Sequence, residues 1–435
     1  MTLSADGAAT LMAGAAMIEI TPPLEVGLLM SSVEGKWAPF TAVRSPLFAR
    51  ALVLEGALAG DPLASSHRAA IVSLDLLALS GKAFGGFESF KSRIVEAADG
   101  IVTAEEVVLA CTHTHTAPES GAITDLYQTP AFRKWGQSLA ESIGHAIACA
   151  AAAMEPCTLA YGTSTLPGLA IHRRVKTTSG IMMSHPEPRK EIVLSRDGAV
   201  DDSVNVLWMC NRRGDLIATV VNATCHPVYE MCNPQISPDY PGELCSRLEA
   251  AHPGSVALFL NGAAGNINPR TVSSGAHAAE HHAEQLHAAV ERAVASSEIE
   301  TDPVLVLRRR SFMIPSRLPN GEDHGLQAST AIATLRLGHA ALAFLPGEPF
   351  VETGNEVRAQ SPFEWTGIVG FAEESIGYVP TDEAFAEGGY EIGFGPWSFL
   401  APGCEQIVRE NAIALLHETA SVDPASAAAE PLAFK

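Results

Sequence analysis

Basic residues are scarce in this sequence. Its 435 residues include 28 Lys and Arg against 49 Asp and Glu, which gives a formal net charge of −21. Binding to nucleic acid or to an anionic membrane surface normally needs a basic patch, so this balance argues against both kinds of partner. Long apolar runs are missing too, since none approaches the roughly 20 residues of a transmembrane helix. We therefore expect no nucleic-acid partner and no stable membrane insertion.

Paired cysteines and a basic N-terminus are also absent. Eight cysteines in a chain of this length, with no CxxC pair, do not make a disulfide scaffold. The first seventeen residues contain no Lys or Arg, so they lack the positive region of a signal peptide. These features predict a cytoplasmic protein. Large acidic proteins of this compartment are often homo-oligomers, so a homo-oligomer is one expected partner.

Several common catalytic signatures are lacking. No GxSxG motif is present, which argues against a serine hydrolase of the nucleophile-elbow type. A pattern of the HxxEH type does occur at His277, Glu280 and His281, where a helix would place both histidines on one face. The same helix also carries His282, Glu284, His287 and Glu291, so we interpret the pattern as a solvated helix face rather than a metal site.

What the sequence does contain is an alternation of strands and helices. Short β-rich apolar runs are predicted as strands at 50–57, 69–79, 107–114, 158–162, 205–210, 217–224, 256–261, 304–314, 341–345 and 367–371. Long alanine-rich or amphipathic segments are predicted as helices at 131–154, 243–252, 275–296 and 404–419. The pattern predicts an α/β fold, with a mixed β-sheet core flanked by helices. We expect a flexible N-terminus at 1–16, a single domain at 17–420 and a frayed tail at 421–435.

Polar clusters follow four of the predicted strands. The first contains His113 and His115, which strand alternation would place on one face. Two such imidazoles can supply a metal ligand and a proton shuttle, or they can simply be hydrogen-bonded surface histidines. The other clusters contribute one histidine, three asparagines and one glutamate, namely His226, Asn261, Asn266, Asn268 and Glu348.

Taken in order, these clusters resemble the catalytic domain of the neutral, non-lysosomal ceramidases. Residues 112–118 read THTHTAP and are similar to the family's THTHSGP, and residues 222–227 end in HP as its NWFAxHP segment does. Gly347-Glu348 matches the start of its GExTTxxG segment. Residues 377–381 and 389–391 match its HYITT and RYE patterns, with the same spacing between the tyrosines.

The resemblance implies a zinc site. It places the ligands at His113, His226, Glu348 and Tyr378, a set of two imidazoles, a carboxylate and a phenolate that suits Zn²⁺. It also implies that His115 donates a proton to a leaving amine and that Tyr390 stabilises the oxyanion of the substrate.

The resemblance also implies further substrate contacts, at positions where the residues match the family less closely. Arg173 stands at the position of a family arginine, with Arg174 as an equally good cation. Asn268 stands where the family has a serine that is important for catalysis, so a serine-dependent step cannot operate here, and we expect Asn268 to hydrogen-bond substrate or water. Asn266 replaces a family aspartate. Together with Arg174, Asn266 and Asn261 are predicted to bind substrate.

The implied activity is that of a zinc-dependent hydrolase that cleaves a linear amide with metal-activated water. The substrate would be a small-molecule or lipid-like amide. The chain has no room for the immunoglobulin-like C-terminal domain of full ceramidases, which argues against ceramide itself. Two alternatives remain open: a zinc-dependent esterase or lactonase, and a zinc-containing binding module that has lost catalysis.

Overall fold

The computed structural model describes residues 11–56, 67–301, 304–321 and 325–422. The helices are α1 (Gly81–Phe84), α2 (Phe87–Ala97), α3 (Pro130–Ala152), α4 (Asp239–Ala251), α5 (Ala276–Ala295), α6 (Val351–Ala359), α7 (Asp382–Glu387) and α8 (Cys404–Ala420). The strands up to residue 200 are β1 (Met12–Glu19), β2 (Leu28–Ser31), β3 (Lys36–Ala38), β4 (Ala42–Val43), β5 (Phe48–Gly56), β6 (His67–Leu74), β7 (Val107–Cys111), β8 (Glu155–Thr165), β9 (Ala170–His172), β10 (Arg174–Thr177), β11 (Gly180–Met183) and β12 (Val193–Ser195). The later strands are β13 (Ser203–Asn211), β14 (Leu216–Ala223), β15 (Gln235–Ile236), β16 (Val256–Asn261), β17 (Ile267–Pro269), β18 (Glu298–Ile299), β19 (Leu305–Pro315), β20 (Gln327–Leu337), β21 (Ala340–Pro346), β22 (Glu348–Pro349), β23 (Trp365–Ala372) and β24 (Tyr378–Val379).

One mixed sheet of 13 strands organises the molecule, which confirms the predicted fold class. Its strand order is β16-β14-β13-β8-β1-β5-β6-β7-β23-β21-β20-β19, with β18 beside β8. Three neighbouring pairs are parallel, namely β14 with β16, β6 with β7, and β21 with β23. Because two parallel strands end at the same edge of the sheet, the loops that follow the two strands of each pair lie next to each other.

The sheet folds back on itself between β8 and β1, which share only two register positions. Its two halves then pack face to face, as three buried hydrogen bonds between them show. Ser73 Oγ donates to Phe259 O at 2.6 Å, and Asn222 Nδ2 donates to Ile368 O at 2.7 Å. Trp365 Nε1 donates across the same interior to a backbone carbonyl of β8 at 3.1 Å. The fold is therefore a sandwich of two half-sheets.

Helices cover the outer faces of this sandwich. Helices α2 and α3 pack on β1, β5, β6 and β7, whereas α4 and α5 pack on β13, β14 and β16. Helices α6 and α8 cover β20, β21 and β23. In β7, Val108 and Ala110 face the other half-sheet, and Val107 and Leu109 face the helices. This alternation of two buried faces explains why the strands read as continuous apolar runs.

The predicted flexible N-terminus is wrong in its last residues. Residues 12–16 belong to β1, which pairs with β5 along its whole length. Residues 1–10 and 423–435, where the rest of that segment and most of the predicted tail fall, lie outside the described residues. In the described part of the chain, no helix is long and apolar enough to cross a membrane.

Candidate active site

His113 reaches the site by a turn rather than by strand alternation. β7 ends at Cys111, and the next two residues stay tied to the neighbouring segment because His113 N donates to Leu76 O at 2.9 Å. His113 itself has a φ of 71°, in the left-handed region. The prediction that a strand over 107–114 places His113 and His115 on one face is therefore wrong. The two rings nevertheless lie together, with centroids 4.9 Å apart.

The imidazoles of His113 and His226 have their tautomers set by the backbone. His113 Nδ1 lies 2.7 Å from Leu77 O, and His226 Nδ1 lies 2.7 Å from Ala264 O. A carbonyl oxygen only accepts, so both Nδ1 atoms carry the proton and both Nε2 atoms carry a lone pair. Burial lowers the pKa of each imidazole well below its usual value, which keeps both neutral. The two Nε2 atoms lie only 3.2 Å apart, so the lone pairs of both imidazoles are close together.

Glu348 is placed by a short parallel pairing between β22 and β24. Glu348 and Tyr378 are direct register partners, so their side chains emerge side by side. The residues before them, Gly347 and Gly377, have φ of 65° and 71°. A Cβ on Gly347 would lie 2.3 Å from Gly377 O, and one on Gly377 would lie 2.3 Å from Trp397 O. Only glycine fits at both positions, which explains the local GE and GY pairs.

Three ligand atoms form a triangle that fits a zinc ion. Glu348 Oε2 lies 3.5 Å from His113 Nε2 and 3.4 Å from His226 Nε2. This oxygen is buried and has no hydrogen-bond partner among the described residues. A point equidistant from the three atoms lies about 1.9 Å from each, close to the roughly 2.0–2.1 Å of Zn–N and Zn–O bonds. Burial raises the pKa of Glu348, which a cation would counteract.

His115 lies beside this triangle and faces the cavity described below. Its ligand nitrogen and those of His113 and His226 lie within 4.8 Å of one another, so the three histidines could also hold a metal ion together. His115 Nε2 is buried and lacks a hydrogen-bond partner in the described structure. Burial, with help from His226 and Arg173, lowers the pKa of His115 to about 3, so it is neutral. A neutral imidazole has one N–H and one lone pair, so this nitrogen can donate or accept a hydrogen bond with a bound molecule.

Arg173 links several of the predicted residues. Its Nη2 donates to Tyr378 Oη at 2.8 Å, and its Nη1 lies 3.2 Å from His226 Nε2 and 3.5 Å from Asn268 Oδ1. Burial raises the pKa of Tyr378 well above its usual value, and the Arg173 charge opposes that rise. On its other side, Arg173 Nε donates to Glu391 Oε1 at 2.7 Å. Glu391 lay within the motif at 389–391, but the sequence did not identify it as a partner of arginine.

The three residues predicted to bind substrate lie away from this centre. Arg174 pairs with the other oxygen of Glu391 at 2.8 Å and does not line the cavity over the centre. Asn266 accepts from Val351 N at 2.8 Å and so caps helix α6. Asn261 is fully buried, where its amide donates to Thr112 O at 3.1 Å and to a carbonyl beside His226. Asn261 thus ties together the two histidine-bearing loops.

A cavity of about 220 Å³ opens over the centre. Its polar wall includes Ser31 and His185 together with six predicted site residues, namely His115, Arg173, His226, Asn268, Tyr378 and Tyr390. Much of the remaining wall is apolar and sulfur-rich, with Leu29, Met30, Met183, Val228, Met231, Cys232 and Val272. The wall also includes Ser32, from a hairpin to which the sequence pattern assigned no role. The HxxEH histidines, His277 and His281, are exposed on α5, as predicted for a solvated face.

The fold corresponds to a known class. The chain has the fold of the neutral ceramidases: it superposes on a crystal structure of neutral ceramidase from Pseudomonas aeruginosa with a TM-score of 0.71 and 21% identity, covering 94% of this chain and 75% of that one. A structure described as a ceramidase complexed with C2 gives a TM-score of 0.73 and 20% identity, covering 94% and 76%.

The sequence comparison points to the same protein. The chain is homologous to the neutral ceramidase of Pseudomonas aeruginosa, with 28% identity over 257 residues. The match covers 56% of this chain and 35% of the length of that relative, so the aligned segment spans about a third of the relative. No family model matches the sequence.

Proposed function

We propose that this protein is a zinc-dependent hydrolase that cleaves a linear amide. The observation that carries the proposal is the triangle of His113 Nε2, His226 Nε2 and Glu348 Oε2, of which His226 lines the cavity. A cation bound between the two Nε2 lone pairs and the partnerless Glu348 oxygen would satisfy all three atoms at once.

The proposed zinc ligands are His113, His226, Glu348 and Tyr378. Imidazole nitrogens with a carboxylate are a common donor set for catalytic zinc, whereas calcium and magnesium prefer oxygen alone. When bound, zinc polarises a carbonyl oxygen and lowers the pKa of water. The Arg173 guanidinium, 2.8 Å from Tyr378 Oη, supports the ionised form of this phenol.

The other polar residues have roles that their positions support. His115 lines the cavity and its Nε2 has no partner in the described structure, so it is positioned to transfer a proton to the leaving amine. The Tyr390 hydroxyl lies in the cavity wall, where it can donate to the oxygen of the scissile carbonyl. Arg173 and Asn268, which also line the cavity, orient the substrate.

The choice of an amide rests on the relatives. Both solved structures are ceramidases by name, and ceramidases cleave the amide of an N-acylated amine. The apolar, methionine-rich part of the cavity wall suits an acyl chain, because methionine adapts to apolar groups of different shape. We propose an N-acyl amine, small or lipid-like, as the substrate class.

A panel of matched substrates tests the proposal. Aminomethylcoumarin amides and methylumbelliferyl esters, each with acetyl, hexanoyl and palmitoyl chains, would be compared with N-palmitoyl-sphingosine. We expect amide cleavage by the zinc-loaded protein, loss after treatment with phenanthroline and recovery with added zinc. Cleavage of esters alone would establish an esterase instead. Stoichiometric zinc without turnover on any substrate would contradict the proposal and favour a binding module.

A further inference from the structure

The hairpin formed by β2 and β3 closes one side of the cavity. Residues 29–32, at the end of β2 and the start of its turn, all line the cavity. The other strand is anchored outside the site because Trp37 Nε1 donates to Asp125 Oδ1 at 2.8 Å. A contact made by this hairpin can therefore set the position of a side chain in the site.

Ser32 makes such a contact with Tyr390. Ser32 Oγ lies 2.6 Å from Tyr390 Oη, although 358 positions separate the two residues in the chain. The ring of Tyr390 also stacks on Trp397, with centroids 6.0 Å apart and an interplanar angle of 8°. Trp397 thus fixes the plane of the ring, and Ser32 fixes the hydroxyl.

We propose that Ser32 is a positioning residue that directs the Tyr390 hydroxyl toward the substrate carbonyl, an inference that rests on the proposed function. A phenol has a single O–H, and a serine hydroxyl can donate or accept. When Ser32 donates to Tyr390 Oη, the phenol proton is free to point into the cavity. Consecutive hydrogen bonds polarise one another, so Ser32 also makes Tyr390 a stronger donor.

This arrangement predicts a selective kinetic effect. With hexanoyl-aminomethylcoumarin as the probe, Ser32→Ala should lower kcat roughly three- to tenfold, as expected for one hydrogen bond, and change KM less than twofold. Ser32→Thr keeps the hydroxyl and should restore kcat. In a Tyr390→Phe background, Ser32→Ala should have no further effect, because its partner atom is already gone. Ser92→Ala, an exposed serine on α2 that bonds only its own helix, is the matched control.

A readout without turnover separates this inference from the proposed function. Fluorotyrosine incorporated at position 390 reports the environment of the phenol by fluorine NMR. We expect Ser32→Ala to move the resonance and Ser32→Thr to return it toward the wild-type position. An unmoved resonance, or a full additional loss of kcat in the Tyr390→Phe background, would overturn the role of Ser32. A shifted resonance in a protein that cleaves no amide would support the contact and contradict the proposed function.

Discussion

Arg173 and Glu391 form an ion pair that is buried on both sides, with Nε 2.7 Å from Oε1 and side chains 3% and 1% exposed. The second oxygen of Glu391 binds Arg174 at 2.8 Å, so one carboxylate holds two guanidinium groups. Burial alone would raise the pKa of Glu391, but the two arginines outweigh it and lower that pKa. Glu391 therefore stays ionised. By holding Nε, it orients Arg173 so that Nη1 and Nη2 contact His226 and Tyr378.

Removing this charge should cost stability. Glu391→Gln leaves two buried guanidinium groups sharing a neutral acceptor, and we expect a loss of roughly 3–5 kcal/mol in the free energy of unfolding. Urea denaturation measures it. Glu387→Gln is the matched control, because Glu387 also pairs with Arg174 but its side chain is 34% exposed, and its loss should cost less than about 1 kcal/mol. Equal effects of the two variants would show that the buried pair is not the cause.

A second buried network predicts a dependence of stability on pH. Burial would raise the pKa of Glu373, but Lys91 and Arg309 outweigh it and lower the pKa to about 2. A lowered pKa stabilises the folded state above the unfolded value of 4.5, and this contribution disappears as the pH falls toward 2. It amounts to about 3 kcal/mol at neutral pH.

Glu373→Gln tests this contribution. The difference in unfolding free energy between wild type and variant should be constant above about pH 5 and shrink steadily as the pH falls below 4.5. Urea titrations across this range measure the difference. A difference that does not change with pH would mean that the Glu373 carboxylate does not carry the effect.

Asn261 is expected to act through the backbone rather than through substrate. Asn261→Ala leaves Thr112 O without its donor and Cys225 N without its acceptor, and it should destabilise the fold by roughly 2–4 kcal/mol. Because Thr112 and Cys225 directly precede His113 and His226, zinc affinity should fall as well. Thermal unfolding and zinc titration measure the two effects. Asn411→Ala on α8, where the amide bonds its own helix, should leave zinc affinity unchanged.

The exposed histidines of α5 should be irrelevant to metal binding. The double substitution of His277→Ala and His281→Ala removes both imidazoles of the HxxEH pattern from a solvated surface. We expect zinc affinity within twofold of wild type in a competition titration. A tenfold loss would move the metal site to this helix.

The sequence could predict which strands carry the site, because polar residues immediately after buried strands are visible locally. His226 follows β14 and Glu348 follows β21, and strand ends in a mixed sheet converge where neighbours are parallel. The mixed sheet with flanking helices could also be predicted, because buried strands and amphipathic helices leave local patterns in the sequence. The roles of the individual site residues stay predictions.

Other features depend on contacts between distant segments. The fold-back of the sheet joins β6 to β16 and β14 to β23 through hydrogen bonds that no local pattern indicates. His113 was expected on a strand, but a left-handed turn positions it. Ser32 and Tyr390 meet across 358 residues, and nothing in the short hairpin around Ser32 marks it as part of a site. Such partners follow from the topology of the whole chain.

The metal content of the protein tests the account most directly. Protein expressed in defined medium and purified without added metal would be analysed by mass spectrometry for metal per chain, with zinc affinity measured by competition. We predict one zinc per chain in wild type and in His115→Ala, and loss of zinc in His113→Ala and Glu348→Ala. A metal-free wild type with no affinity for zinc, or equal zinc in all four proteins, would contradict the account.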